Sequence, residues 1–338
     1  MNRDLVAIAL AAGLGKRMKS DLPKVLHPVC GRPMIDHVLD ALDQVGAARV
    51  YAIVGHRGEL VREHVGARAV CLDQAERLGT GHAVLQAREA LKDFRGDVLV
   101  VCGDTPLIRA ETLRELTQHE RRGDVSGVVL ATQMDDPFGY GRVIRDAQGR
   151  VLQIVEQKDT TPEQAAIREI NTGVYCVDCR ALFDALGEVK NDNAQGEYYL
   201  PDIVGILARQ GRPIEGVVAG DSTEVVGINS RKQLAEADRL VRLRWLDEAM
   251  DAGVSVVDPE TTFIDRAARF GRDVIVHPFS AIRGASAIGD GAHIGPGAEI
   301  RSSRIGAAAR VVYSWIEEAE IGAGEQVGPY CRMRPGGK

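Results

Sequence analysis

Apolar positions along the chain follow two different periods. From residue 5 to about 228, short apolar runs alternate with amphipathic stretches. The runs Leu5–Leu10, Val50–Val54, Val98–Cys102, Gly127–Thr132 and Gly173–Val177 have the length and composition of strands. The first, second and fourth carry no polar interruption, as expected where both faces of a sheet are covered. Between the runs, Ile35, Val38, Leu39 and Leu42 repeat at helical spacing, as do Val84, Ala87 and Leu91 with one gap. This alternation predicts an α/β fold with a mainly parallel, Rossmann-like sheet.

Ser230-Arg-Lys-Gln233 reads as a capping box that opens a long helix. Leu234, Ala237, Val241 and Trp245 form its predicted buried stripe, and it should end near Ala252-Gly253. Past that point Val276, Ile282, Ile288, Ile294 and Ile300 recur every six residues. The register slips, resumes at Ile305 and Val311, and resumes again at Ile321, Val327 and Met333. A period of six suits one flat side of a triangular β-solenoid with about 18 residues per coil. The expected domains are therefore 1–228, a connector helix 229–252, and a solenoid 253–338. Arg334-Pro-Gly-Gly-Lys338 stops in mid-repeat, where a solenoid normally carries a cap, which suggests a truncated or shortened form.

Composition narrows the function classes. The 338 residues are 45% hydrophobic and 27% charged, with a net charge of −6. That balance argues against nucleic-acid and membrane-surface partners. No apolar run approaches the roughly 20 residues of a membrane span. Leu5 to Ala12, with Arg3 before it, could pass for a signal-peptide core. Asp4 in the would-be basic region and the following Gly-Leu-Gly-Lys-Arg fit a strand and loop better, so a cytoplasmic location is expected. Six cysteines make no disulfide framework. Cys176 and Cys179 have C-x-x-C spacing, but no second pair or paired histidine accompanies them, so they read as structural thiols.

The candidate chemistry begins where the first strand runs into Leu10-Ala11-Ala12-Gly13-Leu14-Gly15-Lys16-Arg17-Met18, followed by Pro23-Lys24-Val25-Leu26-His27. A buried strand ending in a glycine loop sets bare N–H groups at the sheet's carboxyl edge, where a phosphate chain can lie. Arg17 and Lys24 add two cations. The loop is neither a P-loop nor a dinucleotide fingerprint, because Met18 stands where a third small residue is needed. A second strand ends in Cys102-Gly103-Asp104 before Thr-Pro, an acidic residue placed where a hard cation is wanted. A third string, Gln74-Ala-Glu-Arg-Leu-Gly79-Thr80-Gly-His-Ala83, joins an amide able to pair twice with a pyrimidine edge to a flexible loop.

These strings together resemble the signature of sugar-1-phosphate nucleotidylyltransferases. The resemblance is closest to the bacterial family of bifunctional N-acetylglucosamine-1-phosphate uridyltransferases / glucosamine-1-phosphate acetyltransferases. Lys16 departs from it, since Thr is usual there. The resemblance implies Mg²⁺-dependent transfer of UMP from UTP to N-acetylglucosamine-1-phosphate. The products would be pyrophosphate and UDP-N-acetylglucosamine, a precursor for peptidoglycan and lipopolysaccharide. It assigns Arg17 and Lys24 to catalysis, and Leu10, Ala11, Ala12, Gly13 and Lys24 to the nucleotide. Gln74, Gly79 and Thr80 would hold the uracil, and Cys102, Gly103 and Asp104 would also contact substrate. Asp104 and Asn229 would bind the metal, while Gly141, Glu156 and Asn171 would bind the sugar. Asn193–Asp202 would help close the sugar pocket, with Pro201 where Thr is usual.

For the second half the resemblance implies a left-handed parallel β-helix that assembles as a homotrimer. Arg334 is the first of the acetyl-transfer positions, and the others would lie beyond Lys338, so acetyl transfer is expected to be absent. No covalent enzyme nucleophile is required, because the sugar phosphate brings its own oxygen. Another sugar phosphate and base, such as glucose-1-phosphate with UTP or dTTP, stays open. So do a non-enzymatic regulatory subunit and a hexapeptide-repeat scaffold.

Overall fold

The computed structural model describes residues 4–119 and 124–335. Contacts divide the chain into two compact units between Leu234 and Ala235. The first unit runs β1 (Leu5–Ala11), the short hairpin β2 (Pro28–Val29) and β3 (Arg32–Pro33), α1 (Met34–Val45), β4 (Val50–Val54), α2 (Gly58–Val65) and β5 (Val70–Asp73). It continues with α3 (Thr80–Leu85), β6 (Asp97–Cys102), α4 (Ala110–Gln118), β7 (Gly127–Gln133), β8 (Arg142–Arg145), β9 (Val151–Val155) and α5 (Pro162–Ala165). β10 (Glu169–Asp178), α6 (Cys179–Leu186), α7 (Asp202–Arg209) and β11 (Ile214–Val218) complete it.

The main sheet has the order β11-β7-β10-β6-β1-β4-β5. Its strands pair in parallel except at β10, which runs against both β6 and β7. The continuous apolar runs are explained by burial on both sides. In β1, Val6 and Ile8 enter one core, while Ala7, Ala9 and Ala11 enter the core on the opposite face. β6 divides in the same way, Val98 and Val100 against Leu99 and Val101. On α1 all four predicted positions, Ile35, Val38, Leu39 and Leu42, are fully buried.

Two sequence expectations change in detail. Val84 lies in α3, but the helix ends at Leu85, and Ala87 and Leu91 reach the same core from consecutive hydrogen-bonded turns. The strand expected at Gly173–Val177 starts earlier, at Glu169, because Glu169, Ile170 and Asn171 also pair with β7 ahead of an irregular stretch that ends at Tyr175.

Chain order sets the place of the site. From β1 the chain moves to β4 and β5 on one side, then returns to β6 on the other. β1 and β6 therefore flank a topological switch point, and the loops leaving their carboxyl ends face one crevice. Because β10 is antiparallel, its amino-terminal end arrives at the same edge.

α8 (Arg231–Asp251) begins in the first unit and continues into the second. Of its expected stripe, Ala237, Val241 and Trp245 are buried and Leu234 is half-buried. The second unit is a three-sided parallel β-helix. One face stacks Val256, Val276, Ile294, Val311 and Val327. A second stacks Ile264, Ile282, Ile300, Ile316 and Met333, and the third stacks Phe270, Ile288, Ile305 and Ile321. The coils therefore begin earlier than the uninterrupted period suggests. The slip after Ile300 is a shortened corner through Ser302, which turns with positive φ. A similar corner at Glu318 follows Ile316, the rung that the six-residue count passes over. This is the left-handed parallel β-helix architecture of hexapeptide repeats. Among the described residues, no helix is long and apolar enough to cross a membrane. The chain end at Lys338, on which the expectation of truncation rests, lies outside the described residues, as does Arg3.

Ile300 is fully buried, whereas Arg301 beside it is exposed with ion pairs to Glu299 and Glu317. Ile300→Ala is expected to lower stability by about 2–5 kcal/mol. Arg301→Ala should change it by less than about 1 kcal/mol. Urea unfolding of the two variants checks both values; equal losses would contradict the inward and outward assignment.

Candidate active site

The loop after β1 carries the first half of the site. Gly13 and Leu14 are exposed, and the amides of Gly13, Leu14 and Gly15 donate to no acceptor among the described residues. Gly15 has φ +57°, and a Cβ there would come within 2.9 Å of Lys24 Cβ. Only glycine lets the loop turn this tightly over the lysine stem. Met18, 1% exposed, anchors the loop from below. Arg231 Nε donates to the Met18 carbonyl at 3.2 Å, and Arg231 Nη1 lies 3.3 Å from His27 Nδ1. Burial first, and the Arg231 charge second, lower the His27 pKa, so the ring stays neutral and Nδ1 can accept.

Lys24 is the centre of this half. Its ammonium donates to the Asp104 carboxylate and, at 3.0 Å, to Asn229 Oδ1. The Lys24 and Asp104 side chains are only 12% and 14% exposed. Asp104 is held by its own backbone, whose carbonyl accepts from Ile228 N at 2.9 Å. Gly103 N donates to Leu10 O, also at 2.9 Å, which fastens the β6 turn to the end of β1. Asn229 Nδ2 donates to Gly227 O, and this turns Oδ1 toward Lys24. Arg17 differs: it is exposed and makes no ion pair or hydrogen bond among the described residues.

A divalent cation fits the chemistry of this constellation. One carboxylate and one amide oxygen already converge on a single positive group. The bare backbone of Gly227 leaves room beside them, since a Cβ there would stand 3.7 Å from both Asp104 oxygens. No group of three or more His, Cys, Asp or Glu able to hold a metal occurs among the described residues. A two-oxygen site suits Mg²⁺, which keeps waters and takes its remaining ligands from phosphates.

The second half is a cleft of about 180 Å³ at the same edge of the sheet. It is lined by six of the expected residues, Leu10, Thr80, Cys102, Gly141, Glu156 and Asn171. Strand pairing explains their meeting. Arg142 pairs with Val155 across the β8–β9 hairpin, which sets Gly141 opposite Glu156. Asn171 N then donates to Gly141 O at 2.8 Å. Leu200 and Pro201 also line the cleft, and Leu200 N donates to Thr80 Oγ1 at 3.0 Å. Sequence reading missed Tyr140 and Tyr175, which stand in the wall as well. A signal for Tyr175 was available, because positions four apart on a strand share a face with Asn171.

The acids and thiol of the cleft are shifted by burial. Burial pushes Glu156 up to about 7, and the negative charges of Asp202, Asp159 and Glu197 add to it, against Arg142. Asp202, which follows the lining residue Pro201 but does not line the cleft, is likewise raised to about 6 by burial and by Asp159 and Asp192. Cys102 is pushed up to about 12 by burial and by Asp104, so it is a protonated thiol with no nucleophilic character. Cys176 and Cys179 are buried in the core and form no disulfide, and no metal-binding cluster of His, Cys, Asp or Glu occurs among the described residues.

Gln74 is placed differently from the expectation of a twofold pairing with a base. Its Nε2 donates to Gly79 O at 3.0 Å and lies 3.1 Å from His82 Nδ1, which leaves Oε1 for a ligand. Gly79, with φ +110°, allows this turn to press on Tyr198, whose carbonyl would lie 2.5 Å from a Cβ. Arg334 is exposed in the second unit.

Comparison with known proteins agrees with both halves of the chain. The MobA-like NTP transferase domain matches residues 7–195. The bacterial transferase hexapeptide, in six repeats, matches residues 267–302. The chain is 48% identical to the bifunctional protein GlmU of Pelobacter propionicus over 98% of its own length and 73% of that protein. It is 46% identical to the bifunctional protein GlmU of Pelotomaculum thermopropionicum over the same shares. Identity to the Listeria welshimeri bifunctional protein GlmU is 46%, over 97% of this chain and 72% of that protein.

Glu156 generates a pH prediction. Its folded-state pKa of about 7 stands above the ordinary 4.5, so the folded protein holds a proton that the unfolded chain releases between these values. Stability is therefore lost as pH rises through that window, and the loss is complete above 7. Glu156→Gln should raise the melting temperature of the substrate-free protein at pH 8 and leave it nearly unchanged at pH 5. Equal gains at both pH values would show that Glu156 is not the strained acid.

Proposed function

The chain belongs to the bifunctional GlmU family, with an NTP-transferase domain followed by hexapeptide repeats, and from that premise we propose that it makes UDP-N-acetylglucosamine. In this reading it transfers UMP from UTP to N-acetylglucosamine-1-phosphate and releases pyrophosphate. The observation that carries the reading is the Lys24 ammonium bound to Asp104 and Asn229 beside a loop of free amides.

The sugar phosphate supplies an oxygen that is already ionised at neutral pH. It attacks the α-phosphorus of UTP, and the bond from that phosphorus to the pyrophosphate oxygen breaks. The chain's residues hold the two reactants in line and balance the charge. The amides of Gly13, Leu14 and Gly15, with Ala11 and Ala12 just before them, receive the phosphate chain. Arg17, which has no partner among the described residues, closes on the phosphates as charge builds there. Lys24 donates to the sugar phosphate or the α-phosphate. Asp104 and Asn229 would hold Mg²⁺, which supplies further charge neutralisation on the phosphates.

Gln74 Oε1 accepts the imide N–H of uracil, beside Gly79 and Thr80. Cys102 and Gly103 form the floor between base and sugar, and Gly141, Glu156 and Asn171 take the sugar hydroxyls. Apart from Asn229, this machinery lies within 1–228, and the β-helix of 253–338 is the self-association surface of a homotrimer. UTP as substrate places the work in the cytoplasm, in the supply of peptidoglycan and lipopolysaccharide precursors.

Pyrophosphate release across a panel of nucleoside triphosphates and sugar phosphates tests the assignment. UTP with N-acetylglucosamine-1-phosphate is expected to give the highest kcat/KM; a higher value for glucose-1-phosphate or dTTP would replace the reading. Arg17→Ala should lower kcat by about 100-fold while changing the UTP KM by less than about threefold. Unchanged turnover would take Arg17 out of the mechanism.

A further inference from the structure

Asn171 stands at the start of the irregular stretch of β10, where pairing with β7 passes from Asn171–Ala131 to Tyr175–Val129. The extra residues of this bulge are bonded locally. Thr172 Oγ1 donates to Leu130 O at 2.7 Å and accepts from Val174 N at 3.2 Å. Asn171 Oδ1 receives two donors of its own, Gly173 N at 3.1 Å and the Tyr175 hydroxyl at 2.9 Å.

That pair of bonds fixes the amide. Gly173 N–H can only donate, so a flipped side chain would set –NH₂ against N–H. The Tyr175 hydroxyl gives its single proton to the same oxygen. Asn171 Nδ2 has no acceptor among the described residues and is not sealed in the core. It faces the cleft with donors only. Tyr175 is fully buried, its ring belongs to the hydrophobic core, and Asn171 is the one hydrogen-bond partner of its hydroxyl among the described residues. The ring thus packs, and the hydroxyl acts on Asn171.

We propose that Tyr175 is a positioning residue: its hydroxyl locks the Asn171 amide with both N–H groups toward the cleft, so that the site selects a sugar phosphate presenting an acceptor oxygen there. A hydroxyl oxygen or an amide carbonyl meets that demand. This rests on the reading of the cleft as the sugar-phosphate site. Tyr175→Phe keeps the volume of the ring and removes only the donor.

Steady-state kinetics with UTP and N-acetylglucosamine-1-phosphate test it. Tyr175→Phe should raise the KM for the sugar phosphate about 5–10-fold, with the UTP KM and kcat within about twofold of the parent. Asn171→Ala should raise the same KM at least as much. In the Asn171→Ala background Tyr175→Phe should add less than about twofold, because its target is gone. Asn171→Asp keeps the acceptor for Gly173 and Tyr175 but has no N–H, and it should lose sugar-phosphate affinity as Asn171→Ala does. If Tyr175→Phe fails to fold, parental affinity in Asn171→Asp would still overturn the proposal.

An unchanged KM in Tyr175→Phe while Asn171→Ala is impaired overturns the positioning role and leaves the sugar-site reading standing. A full Tyr175→Phe effect without the Asn171 side chain, or parental affinity in Asn171→Asp, also overturns the positioning role. An unchanged sugar-phosphate KM in Asn171→Ala overturns both.

Discussion

Lys24 Nζ binds three parts of the first unit that are far apart in sequence: the loop after β1, the turn after β6 and the segment before α8. Ions this deeply withdrawn from water are stable only when each has partners of the opposite kind. The ammonium meets a carboxylate and an amide oxygen, so the demand is met. Removing any member would leave a buried charge or a buried acceptor exposed to the others. The surrounding details follow from this constraint. Gly15 must lack a side chain because the lysine stem passes beneath it, and Arg231 pins Met18 and His27 so that the loop carrying Lys24 keeps its path. On the proposed reading, the same two oxygens serve either the ammonium or a divalent cation. Phosphate oxygens entering the crevice are what would draw Lys24 away from them.

The sheet topology decides which residues can join this centre. Parallel β1 and β6 deliver their carboxyl ends to one edge, and both of those ends carry polar turns. The reversed β10 brings its beginning there as well, so Asn171 sits beside the end of β6 with no long connection. The β8–β9 hairpin adds Gly141 and Glu156 through simple antiparallel pairing. Five strands contribute to one crevice, and two of the polar groups buried within them, Asn171 and the Tyr175 hydroxyl, bond to each other.

Much of this was legible in the sequence, for a physical reason. Continuous apolar runs such as Val50–Val54 report burial on two faces, and a glycine loop or an acidic turn directly after such a run reports a sheet edge. Lys24 and Asp104 are visible in that way. The partners that complete the site depend instead on register, which a single sequence does not specify. Nothing local in Gly141 points to Glu156, and nothing in Gln74 shows that Gly79 and His82 will occupy its nitrogen. The bulge that joins Asn171 to Tyr175 is hidden because its backbone groups are satisfied by its own Asn and Thr side chains. In the β-helix the six-residue period was clear where corners are regular and failed at Ser302 and Glu318, where shortened corners remove a residue. Ile316 drops out of the count because the corner before it, at Tyr313, is shortened in the same way.

On the proposed reading, the chemistry of the cleft suits one kind of molecule. Asn171 offers only donors, and Glu156 is a half-buried acid raised to about 7 by burial and by surrounding negative charge. Among the described residues, neither Asn171 Nδ2 nor the Glu156 carboxyl has a hydrogen-bond partner. A purely apolar ligand would leave both unsatisfied, which costs about 1–3 kcal/mol for each buried group. A second carboxylate would deepen the repulsion around Glu156. A hydroxyl group can accept from Asn171 and donate to Glu156, and donation favours the ionised acid that burial opposes. A neutral, many-hydroxyl ring therefore relieves both deficits at once, while its phosphate is left to the cations beyond Leu10. The division between an uncharged cleft partner and a charged loop partner follows from side-chain chemistry alone, and it matches a sugar phosphate lying across the carboxyl ends of β1 and β6.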